Sequence, residues 1–280
     1  MAVRGRGGAR RDGEGNSRLP RSPSPGPHAR TSRSAAGQHF LRSSALAAEL
    51  VRSAGIGPGD LVLDLGAGTG VLTRVLERAA ARVTAVELDP ALAAALRVRF
   101  PDIVEGDALT IRLPREPFRV VANLPFGDGT AILRRLLDPR VPLVSADVVV
   151  QWELAVKRTA VWPSTRLGVE WRAWHELTLV RRLPRSCFAP PPAVDAAVLR
   201  AVRRDEPLVP VRRASDYRAF VERGFRHGLR AVVSSGQLRR AANELGFARA
   251  ARPRDLDAHQ WAALFRCRHP AGWRDVRPGR

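Results

Sequence analysis

The tetrapeptide Asn123-Leu124-Pro125-Phe126 combines residue types that can hold a flat ring carrying an exocyclic amine. The Asn123 side-chain oxygen and the carbonyl of Leu124 or Pro125 offer two acceptors for the two amine hydrogens. Such an amine is a poor nucleophile because its lone pair is delocalised into the ring, and two acceptors leave that lone pair facing an electrophile. Proline removes a competing N–H donor, and the Phe126 ring can stack on the base. The alternative interpretation is an ordinary strand exit, with Asn and Pro as turn residues.

Three alternating glycines mark a second place where a ligand can approach the backbone. The apolar run 61–65 carries a single acid, Asp64, and predicts a buried parallel strand. Gly66, Gly68 and Gly70 follow, and the apolar spacing after them predicts a helix. Because glycine has no Cβ, a ligand can lie against this βα turn. The spacing is Gly-x-Gly-x-Gly, which differs from the Gly-x-Gly-x-x-Gly of dinucleotide-binding proteins.

Two further acids come at the ends of predicted strands. Glu87 lies 21 residues beyond Gly66, the spacing at which an acid can bond both ribose hydroxyls. Asp107 follows a short predicted strand at 103–104, where it could accept a hydrogen bond from an adenine amino group, although a lone Asp there is more often a turn residue. Together with Asp64, these acids at three successive strand ends predict one crevice.

The elements that must position these residues form an α/β pattern. Further strands are predicted near residues 118–122, 147–151, 176–183 and 194–203. The fold class is therefore a doubly wound, Rossmann-like sheet with a smaller all-helical region at about 215–266. Apolar residues at helical spacing in that region are predicted to be core positions: Phe220, Phe225, Leu229, Leu238, Leu245, Leu256, Trp261, Leu264 and Phe265. The arginines between them make a phosphate-contacting surface: Arg223, Arg226, Arg230, Arg239 and Arg240.

The formal net charge of +20 over 280 residues is unevenly distributed. Residues 1–36 carry eight arginines against two acids. Residues 37–180 are nearly balanced, with seventeen basic and sixteen acidic side chains, and residues 181–280 hold twenty-two arginines against nine acids. Basic ends around a neutral middle predict that the ends grip a polyanion while the middle holds a small molecule. A GC-rich genome favours arginine codons and so explains why Lys157 is the only lysine. It does not explain why basic residues outnumber acidic residues.

Several classes of protein are disfavoured by composition. Cys187 and Cys267 are too few and too isolated for a disulfide framework or a zinc site, and Cys267-Arg-His269 is interpreted as incidental. No apolar run approaches the roughly 18 residues of a membrane span, and the N-terminus lacks the apolar core of a secretory signal. We therefore expect a cytoplasmic protein with no metal and no membrane association.

Four separated motifs resemble those of the S-adenosylmethionine-dependent RNA adenine-N6 methyltransferases. The glycine turn is similar to their motif I, and residues 123–126 are similar to their motif IV, Asn-[Leu/Ile]-Pro-[Tyr/Phe]. Residues 38–41, Gln-His-Phe-Leu, resemble motif X, and residues 186–195 resemble the family's Phe-x-Pro-x-Pro-x-Val-[Asp/Asn] loop. The resemblance covers residues 37 to about 265, with the motifs in the expected order.

The resemblance implies a role for each motif residue. Asn123 would orient the amine of an adenine flipped out of its stack, and Phe126 would stack on that base, with Leu124 and Pro125 completing the catalytic loop. The implied cofactor-binding residues are His39, Leu41, Gly66, Gly68, Glu87, Asp107, Ala108 and Asn123. Phe126 stands where the family often has Tyr. His39 stands where many relatives have Asn, and it could still donate a hydrogen bond near the cofactor carboxylate.

Two branches of this family differ in their RNA substrate. The KsgA type is the housekeeping 16S rRNA dimethyltransferase, and the Erm type methylates one adenine of 23S rRNA and confers macrolide–lincosamide–streptogramin B resistance. Residues 151–158 and the later Trp162, Trp171 and Trp174 resemble actinobacterial Erm proteins. The KsgA branch usually has Lys-Glu where Trp152-Glu153 stands. The resemblance thus implies mono- or dimethylation of 23S rRNA by a monomer, acting on a protein-free or partly assembled large-subunit precursor.

We expect three segments in the chain. Residues 1–36 would be a disordered basic tail that touches RNA, with a transit peptide or a functionless extension as alternatives. Residues 37–205 would form the cofactor-binding catalytic domain, and residues 206–280 a helical RNA-binding domain with a short basic C-terminal tail. A nicotinamide-dependent oxidoreductase would account for the glycine turn but not for residues 123–126. A non-catalytic RNA-binding protein would account for the charge but not for the three acids.

Overall fold

The computed structural model describes residues 38–79 and 82–269. The predicted disordered tail and the basic C-terminal end lie outside these residues. The strands of the described part are β1 (Phe40–Leu41), β2 (Leu61–Leu65), β3 (Arg82–Glu87), β4 (Ile103–Glu105), β5 (Phe118–Asn123), β6 (Leu143–Gln151), β7 (His175–Leu183), β8 (Phe188–Ala189) and β9 (Ala196–Arg203). The α-helices are α1 (Ser44–Ser53), α2 (Val71–Arg78), α3 (Pro90–Arg97), α4 (Gly129–Leu136), α5 (Trp152–Thr159), α6 (Arg166–Arg172), α7 (Ala214–His227), α8 (Ser235–Leu245) and α9 (Ala258–Arg268).

Seven strands form one sheet in the order β4-β3-β2-β5-β6-β9-β7. Strands β2, β3, β4, β5 and β6 are parallel to one another, and β9 runs antiparallel to both β6 and β7. The predicted doubly wound α/β fold is confirmed. Each predicted strand is present, and the structure extends β6 back to Leu143 and starts β9 at Ala196.

The direction of strand order reverses between β2 and β5. From β2 the chain adds β3 and β4 on one side, and it then returns to place β5 and β6 on the other side. Because β2 and β5 are parallel neighbours, the loops that follow them meet at the same edge of the sheet. Ligands of doubly wound folds bind at this point of reversal.

Helices cover both faces of the sheet. Side chains of β2 alternate, so Leu63 and Leu65 join the core beneath α4, α5 and α6, whereas Val62 joins the core beneath α1 and α2. This alternation also sends Asp64 towards α2. The register of a single strand therefore separates the residues that pack on each face.

The helical region packs against the sheet domain through α6 and Trp174. The Trp174 indole donates to the Val209 carbonyl at 2.7 Å and meets the Tyr217 ring edge-on at 5.7 Å. All nine predicted core positions of this region pack in its apolar cluster, which also takes in Val169 and Trp174 from the sheet domain. The division of the chain at residue 205 remains a prediction.

In the part of the chain that the structure describes, no helix has the length and apolar content needed to cross a membrane.

Candidate active site

The turn after β2 has the tight backbone that its glycines predict. Gly66, Gly68 and Gly70 have φ angles of +76°, +57° and +76°, a region that L side chains rarely adopt. The N–H groups of Gly66 and Ala67 both donate to the Val86 carbonyl, at 2.8 and 3.0 Å. The turn is therefore fixed to the end of β3.

Glu87 completes this attachment from the end of β3. Its Oε2 accepts the Gly68 N–H at 2.7 Å and its Oε1 accepts the Asp89 N–H at 2.9 Å. Each carboxylate oxygen has a further lone pair, so these bonds leave acceptor capacity for a ligand. Leu88, which the motifs did not single out, follows directly with 48% of its surface exposed. An exposed leucine beside a buried carboxylate is an apolar face that a ligand can cover.

Asp64 does not line the crevice, which corrects the expectation that three acids face one ligand. Its side chain is 1% exposed, and its Oδ2 accepts the Thr73 hydroxyl of α2 at 2.7 Å. The reason is strand alternation, because the register of β2 turns this position under α2. Burial raises the pKa of Asp64 to about 7, the Thr73 hydrogen bond opposes the rise and the Glu87 charge adds to it.

The loop after β4 holds Asp107 and Ala108. Asp107 Oδ1 accepts the Leu109 N–H at 2.8 Å, a short local turn of the kind that Asp favours. Arg135 of α4 donates to the carbonyls of Ala108, at 2.7 Å, and Ile111. Arg135 is a site-supporting residue that the motifs did not reveal, because its contact depends on how α4 packs against this loop.

The Asn123 side chain is held by one hydrogen bond and keeps one acceptor unused. Its Nδ2 donates to the His39 carbonyl at 2.7 Å, which fixes the orientation of the amide, and its Oδ1 is buried without a hydrogen-bond partner. The next residue is held through its backbone, because the Leu124 N–H donates to the Val149 carbonyl at 3.1 Å. The Pro125 carbonyl already accepts the Asp128 N–H at 3.1 Å.

The glycine turn and the Asn-Leu-Pro-Phe loop lie against each other. A Cβ at Gly66 would stand 3.4 Å from Pro125 Cδ and 3.7 Å from the Asn123 carbonyl oxygen. The structure thus brings motif I and motif IV together, as the reversal of strand order between β2 and β5 requires.

Motif X contains β1 and the loop at 186–195 contains β8. These two short strands pair with each other at this edge of the sheet, and we call the pair the clip. Phe40 pairs with Ala189 and Leu41 pairs with Phe188 in antiparallel register. His39 Nδ1 lies 2.9 Å from the Pro190 carbonyl, so this nitrogen carries the proton that is donated. In a neutral ring Nε2 is then an acceptor, and donation to a carboxylate needs a doubly protonated imidazole.

Phe126 projects into an aromatic group formed by the clip. Its ring centroid lies 5.3 Å from that of His39 and 6.0 Å from that of Phe188. Three motifs that are far apart in the sequence therefore meet around one ring, and the ring is partly exposed.

The resemblance implied that Leu41 contacts the cofactor, but the structure places the side chains of Phe40 and Leu41 differently. The Leu41 side chain is buried in the core beneath α1 and therefore does not face a ligand. The Phe40 ring instead covers the glycine turn, since a Cβ at Gly68 would stand only 2.6 Å from it. The sequence signal for Phe40 was its place in motif X, but which neighbour faces the turn depends on the β1–β8 register.

The predicted phosphate-contacting arginines are all exposed: Arg223, Arg226, Arg230, Arg239 and Arg240. Arg226 pairs with Glu222 at 2.9 Å on the same helix. Among the described residues, no group of three or more His, Cys, Asp or Glu side chains is placed to hold a metal ion.

A doubly wound sheet with a glycine turn at its point of reversal, an acid at the end of the next strand and an Asn-Leu-Pro-Phe loop alongside defines an S-adenosylmethionine-dependent methyltransferase of the Rossmann-like class. Comparison with known proteins agrees with this class and narrows it. A sequence profile described as "Ribosomal RNA adenine dimethylase" matches residues 29–266.

Three similar proteins illustrate the range of the match. The mycinamicin-resistance protein MyrB of Micromonospora griseorubida is 38% identical over 261 residues, which are 87% of this chain and 81% of MyrB. The ribosomal RNA small subunit methyltransferase A of Chlorobaculum parvum is 37% identical over 201 residues, 68% of this chain and 72% of that protein. The crystal structure of the 23S rRNA methyltransferase ErmE superposes with a TM-score of 0.73 at 32% identity, covering 81% of this chain and 98% of ErmE.

The chain belongs to the ribosomal RNA adenine dimethylase family and, within it, to the Erm-type rRNA adenine-N6 methyltransferases.

Proposed function

We propose that this chain methylates N6 of one adenine in 23S rRNA, once or twice, and so confers resistance to macrolides, lincosamides and streptogramin B. The observation that carries the proposal is the Asn123 amide. Its oxygen is a buried acceptor without a partner, placed where the glycine turn and the catalytic loop meet. An unpaired buried acceptor costs free energy unless a ligand supplies the donor, and the amine of a flipped adenine is such a donor.

The residues of the crevice fit S-adenosylmethionine. Gly66 lies so close to Pro125 that a side chain would fill the gap between the two loops. Glu87 keeps free lone pairs at a strand end, and Leu88 leaves an apolar face open beside it. The turn accordingly suits a ligand with a ribose, an adenine face and a small polar end.

We assign the cofactor to residues of that crevice. Glu87 would accept from the ribose hydroxyls, and Asp107 with Ala108 would contact the adenine. Gly66 and Gly68 would allow close backbone approach, with His39 and the Leu41 backbone at the methionine end. When bound, S-adenosylmethionine supplies an electrophilic methyl group on a positively charged sulfur.

The chain's own contribution to the reaction is orientation of the target amine. Asn123 Oδ1 accepts one amine hydrogen. The Leu124 carbonyl is the better second acceptor, because the Pro125 carbonyl is already engaged by Asp128. Holding both hydrogens in the loop plane leaves the nitrogen lone pair directed at the crevice, which makes positioning the main source of rate.

Phe126 would hold the target base by stacking. The ring is buttressed by His39 and Phe188 and remains partly exposed, so one face is available. Extruding a base from RNA costs a few kcal/mol, and an aromatic platform offsets that cost. The methylated nitrogen is acidic enough to lose its proton to water, so no side chain is required as a base.

The Erm type is favoured over the housekeeping KsgA type by the region after β6. Trp152 stands at the start of α5, and its backbone N–H donates to the Asp195 carbonyl at 2.9 Å, a bond that does not depend on its side chain. Arg182 lies 4.8 Å over the Trp152 ring, and this contact does depend on the indole. The Lys-Glu pair usual in the KsgA branch lacks this aromatic platform.

We further propose that the enzyme acts as a monomer in the cytoplasm, on a protein-free or partly assembled large-subunit precursor. The glycine turn, the catalytic loop and the clip all come from a single chain, so no second copy is needed to complete the site. A base that must be flipped into a crevice has to be free of bound ribosomal protein.

The test is methyl transfer from labelled cofactor to purified 16S and 23S rRNA, with the modified base mapped. We expect label on N6 of one 23S adenine. Label on 16S rRNA would support the KsgA type instead. Calorimetry that shows binding of NAD and none of S-adenosylmethionine would refute the methyltransferase assignment altogether.

A further inference from the structure

The exposed indole of Trp162 is unusual among the described tryptophans. It has 61% of its surface exposed, whereas Trp171, Trp174 and Trp261 are each at most 2% exposed. Val156 and Val161 nearby are also exposed, so the indole belongs to a small apolar patch at the end of α5. Exposed apolar surface that polar residues border is typical of interaction sites, whereas a single exposed apolar side chain is common.

The loop that carries Trp162 is held at both ends. Before the indole, the Thr159 carbonyl accepts from Arg172 at 2.6 Å. After it, the Ser164 N–H donates to the Arg254 carbonyl of the helical region at 2.7 Å, and Thr165 accepts from Arg158 at 3.3 Å. The indole is therefore presented from a fixed support, and little conformational freedom remains to be lost on binding.

Basic residues flank the indole along the chain, with Lys157 and Arg158 before it and Arg166 after it. Lys157 and Arg134 are exposed and make no ion pair among the residues that the structure describes. Burial is the main reason that the pKa of Arg158 is lowered, and the charges of Arg134 and Arg166 add to the effect. Helices α5 and α6 carry Glu153 and Glu170, and Glu170 is buried and paired with Arg166 at 2.7 Å. Asp255, next to Arg254, pairs with Arg252 at 3.4 Å.

The patch lies on a direct route from the catalytic loop to the helical region. Strand β6, which pairs with the strand that carries Asn123, leads straight into α5. Helix α5 has eight residues and spans about 12 Å, and Trp162 follows three residues after it. Since the Ser164 N–H bonds to the Arg254 carbonyl, the segment that carries the indole connects the strand beside the target-base site to the helical region.

We propose that Trp162 stacks on an unpaired RNA base that flanks the target adenine, while the cations that flank it along the chain contact the adjoining phosphates. The inference rests on the proposed function, because it places the flanking strand of the same RNA substrate. A nucleic acid satisfies both features of the patch, since every base has a stacking face and every nucleotide carries a negative phosphate. An apolar protein partner would leave the cations without counter-charge.

Three substitutions in the full-length chain separate stacking from simple apolar contact. Trp162→Phe keeps an aromatic face, Trp162→Leu keeps apolar surface without one, and Trp162→Ala removes both. The matched control is Val98→Ala, an exposed apolar residue after α3 with 87% of its surface accessible. Because all these side chains are exposed, the unfolding midpoint should match that of the unmodified chain.

Affinity for transcribed 23S rRNA, measured by filter binding across a salt series, is the deciding quantity. We expect Trp162→Ala and Trp162→Leu to weaken binding by about 5- to 150-fold, the range found for loss of one base–aromatic stack, and Trp162→Phe and Val98→Ala to bind nearly as well as the unmodified chain. The weakening should be the same factor at every salt concentration, because a stacking contact neutralises no phosphate. Cofactor affinity should be unchanged in all four variants.

The outcomes distinguish this inference from the proposed function. If the unmodified chain methylates 23S rRNA and Trp162→Ala binds that RNA equally well, the inference is overturned and the proposed function stands. If Trp162→Leu binds as well as Trp162→Phe, the contact is apolar and stacking is refuted. If the unmodified chain binds rRNA but methylates none, the proposed function fails, and the same variant series still decides the role of Trp162. A chain that binds no RNA overturns both.

Discussion

Asn123 shows how a single amide can serve the fold and the chemistry at once. Its nitrogen is used by the His39 carbonyl, 84 residues away in sequence, and its oxygen is left for a ligand. The bond to His39 also selects the rotamer, because only the Nδ2 end of the amide can face a carbonyl. In the function proposed here the acceptor is aimed before any substrate arrives, which is the condition for electrostatic catalysis by a fixed dipole.

Replacement of Asn123 should therefore affect turnover much more than cofactor binding. We expect Asn123→Ala to lower kcat by about 10²- to 10³-fold, the usual loss when one aimed polar group is removed, with a small change in the cofactor Kd. Single-turnover methylation and calorimetry measure the two quantities. Asp128→Ala, an exposed loop residue with no side-chain cap bond, is the control and should keep its activity. Full activity in Asn123→Ala would refute the assigned role.

Phe126 should tolerate exchange for another aromatic ring but not for an aliphatic side chain. Phe126→Tyr keeps the stacking face and should remain active. Phe126→Leu should fold and bind cofactor, yet lose about 1–3 kcal/mol of base stacking, seen as weaker binding of substrate RNA or slower transfer. Equal activity of the leucine variant would mean that the base is held elsewhere.

Asp64 gives the stability of the protein a specific dependence on pH. Its folded pKa of about 7 lies above that of an unfolded Asp, so between about pH 4 and pH 7 the folded chain binds more protons than the unfolded chain. The contribution to the free energy of unfolding is present below this window and is lost as the pH rises through it. From pH 5 to pH 8 the loss is on the order of 3 kcal/mol.

Asp64→Asn, which cannot ionise, should show a smaller fall in the free energy of unfolding over that range. Urea unfolding of both proteins at pH 5 and pH 8 makes the comparison, and other titrating groups cancel. The exposed Asp205→Asn is the control and should follow the unmodified chain. Parallel pH profiles for the Asp64 variant and the unmodified chain would contradict the buried, near-neutral carboxyl.

At the scale of elements, the crevice is closed by a clip with few residues. Strands β1 and β8 contribute two paired residues each, yet they place His39, Phe40 and Phe188 around the catalytic loop. A short antiparallel pair has little stability of its own. The hydrogen bond from Asn123 to His39, the residue before β1, and the packing of Phe40 on Gly68 therefore link order in the clip to order in the site.

Helix α7 depends on a glycine where a stronger helix former would be expected. A Cβ at Gly224 would stand 2.5 Å from the Trp261 ring, which fills the space above the helix. We expect Gly224→Ala to lower the free energy of unfolding by about 1–3 kcal/mol, because the clash outweighs the gain in helix propensity. Denaturant unfolding provides the measurement.

Gly236→Ala is the matched control in helix α8. Nothing lies within 4 Å of the position of its Cβ, and its φ is not in the left-handed region. This variant should be neutral or more stable by up to about 1 kcal/mol. If Gly224→Ala were equally neutral or stabilising, the close packing of Trp261 on Gly224 would be contradicted.

At the scale of the whole molecule, charge is segregated between residues 37–180 and the C-terminal hundred residues, which comprise the last strands of the sheet and the helical region. The middle of the chain is nearly neutral, and residues 181–280 carry an excess of thirteen positive charges. Within the described residues the helical region is fixed to the sheet domain by polar contacts, among them Arg218 to Asp138 at 3.0 Å and Arg140 to Ser215 at 3.0 Å. If the basic helices contact RNA, as we predict, this attachment would orient the RNA relative to the crevice.

Removing two exposed arginines of α8 should reduce the salt dependence of RNA binding. Each phosphate contact contributes about 0.7–0.9 to the slope of log affinity against log salt, so Arg239→Ala with Arg240→Ala should flatten it by up to about two contacts. Cofactor affinity should not change, because the crevice lies in the sheet domain. The control pair is Arg74→Ala with Arg78→Ala, on the exposed side of α2, which should leave the slope unaltered.

Deletion of residues 1–36 should have a smaller effect on RNA affinity than this pair, since a segment of this composition is expected to lose conformational entropy on binding. The same filter-binding series answers the question. If the deletion abolished RNA binding while the whole helical region could be neutralised without loss, the allocation of affinity to the C-terminal part would be wrong.

The sequence by itself determined the local chemistry of this protein. The glycine spacing, Glu87, the tetrapeptide at 123–126 and the core positions of the terminal helices could all be read from short stretches, because turn geometry, strand ends and apolar periodicity are encoded by neighbouring residues. The difference in net charge between residues 37–180 and residues 181–280 could also be counted directly from the sequence. Each of these features depends on residue type and spacing along the chain.

The tertiary structure alone decided the direction of the side chains. It turned Asp64 under α2, placed Phe40 in contact with the glycine turn, and used His39 to set the Asn123 amide. These outcomes depend on strand register and on pairing between segments roughly 150 residues apart, as in β1 with β8. A shift of one residue would reverse which face each side chain occupies, and no local pattern in the sequence specifies that register.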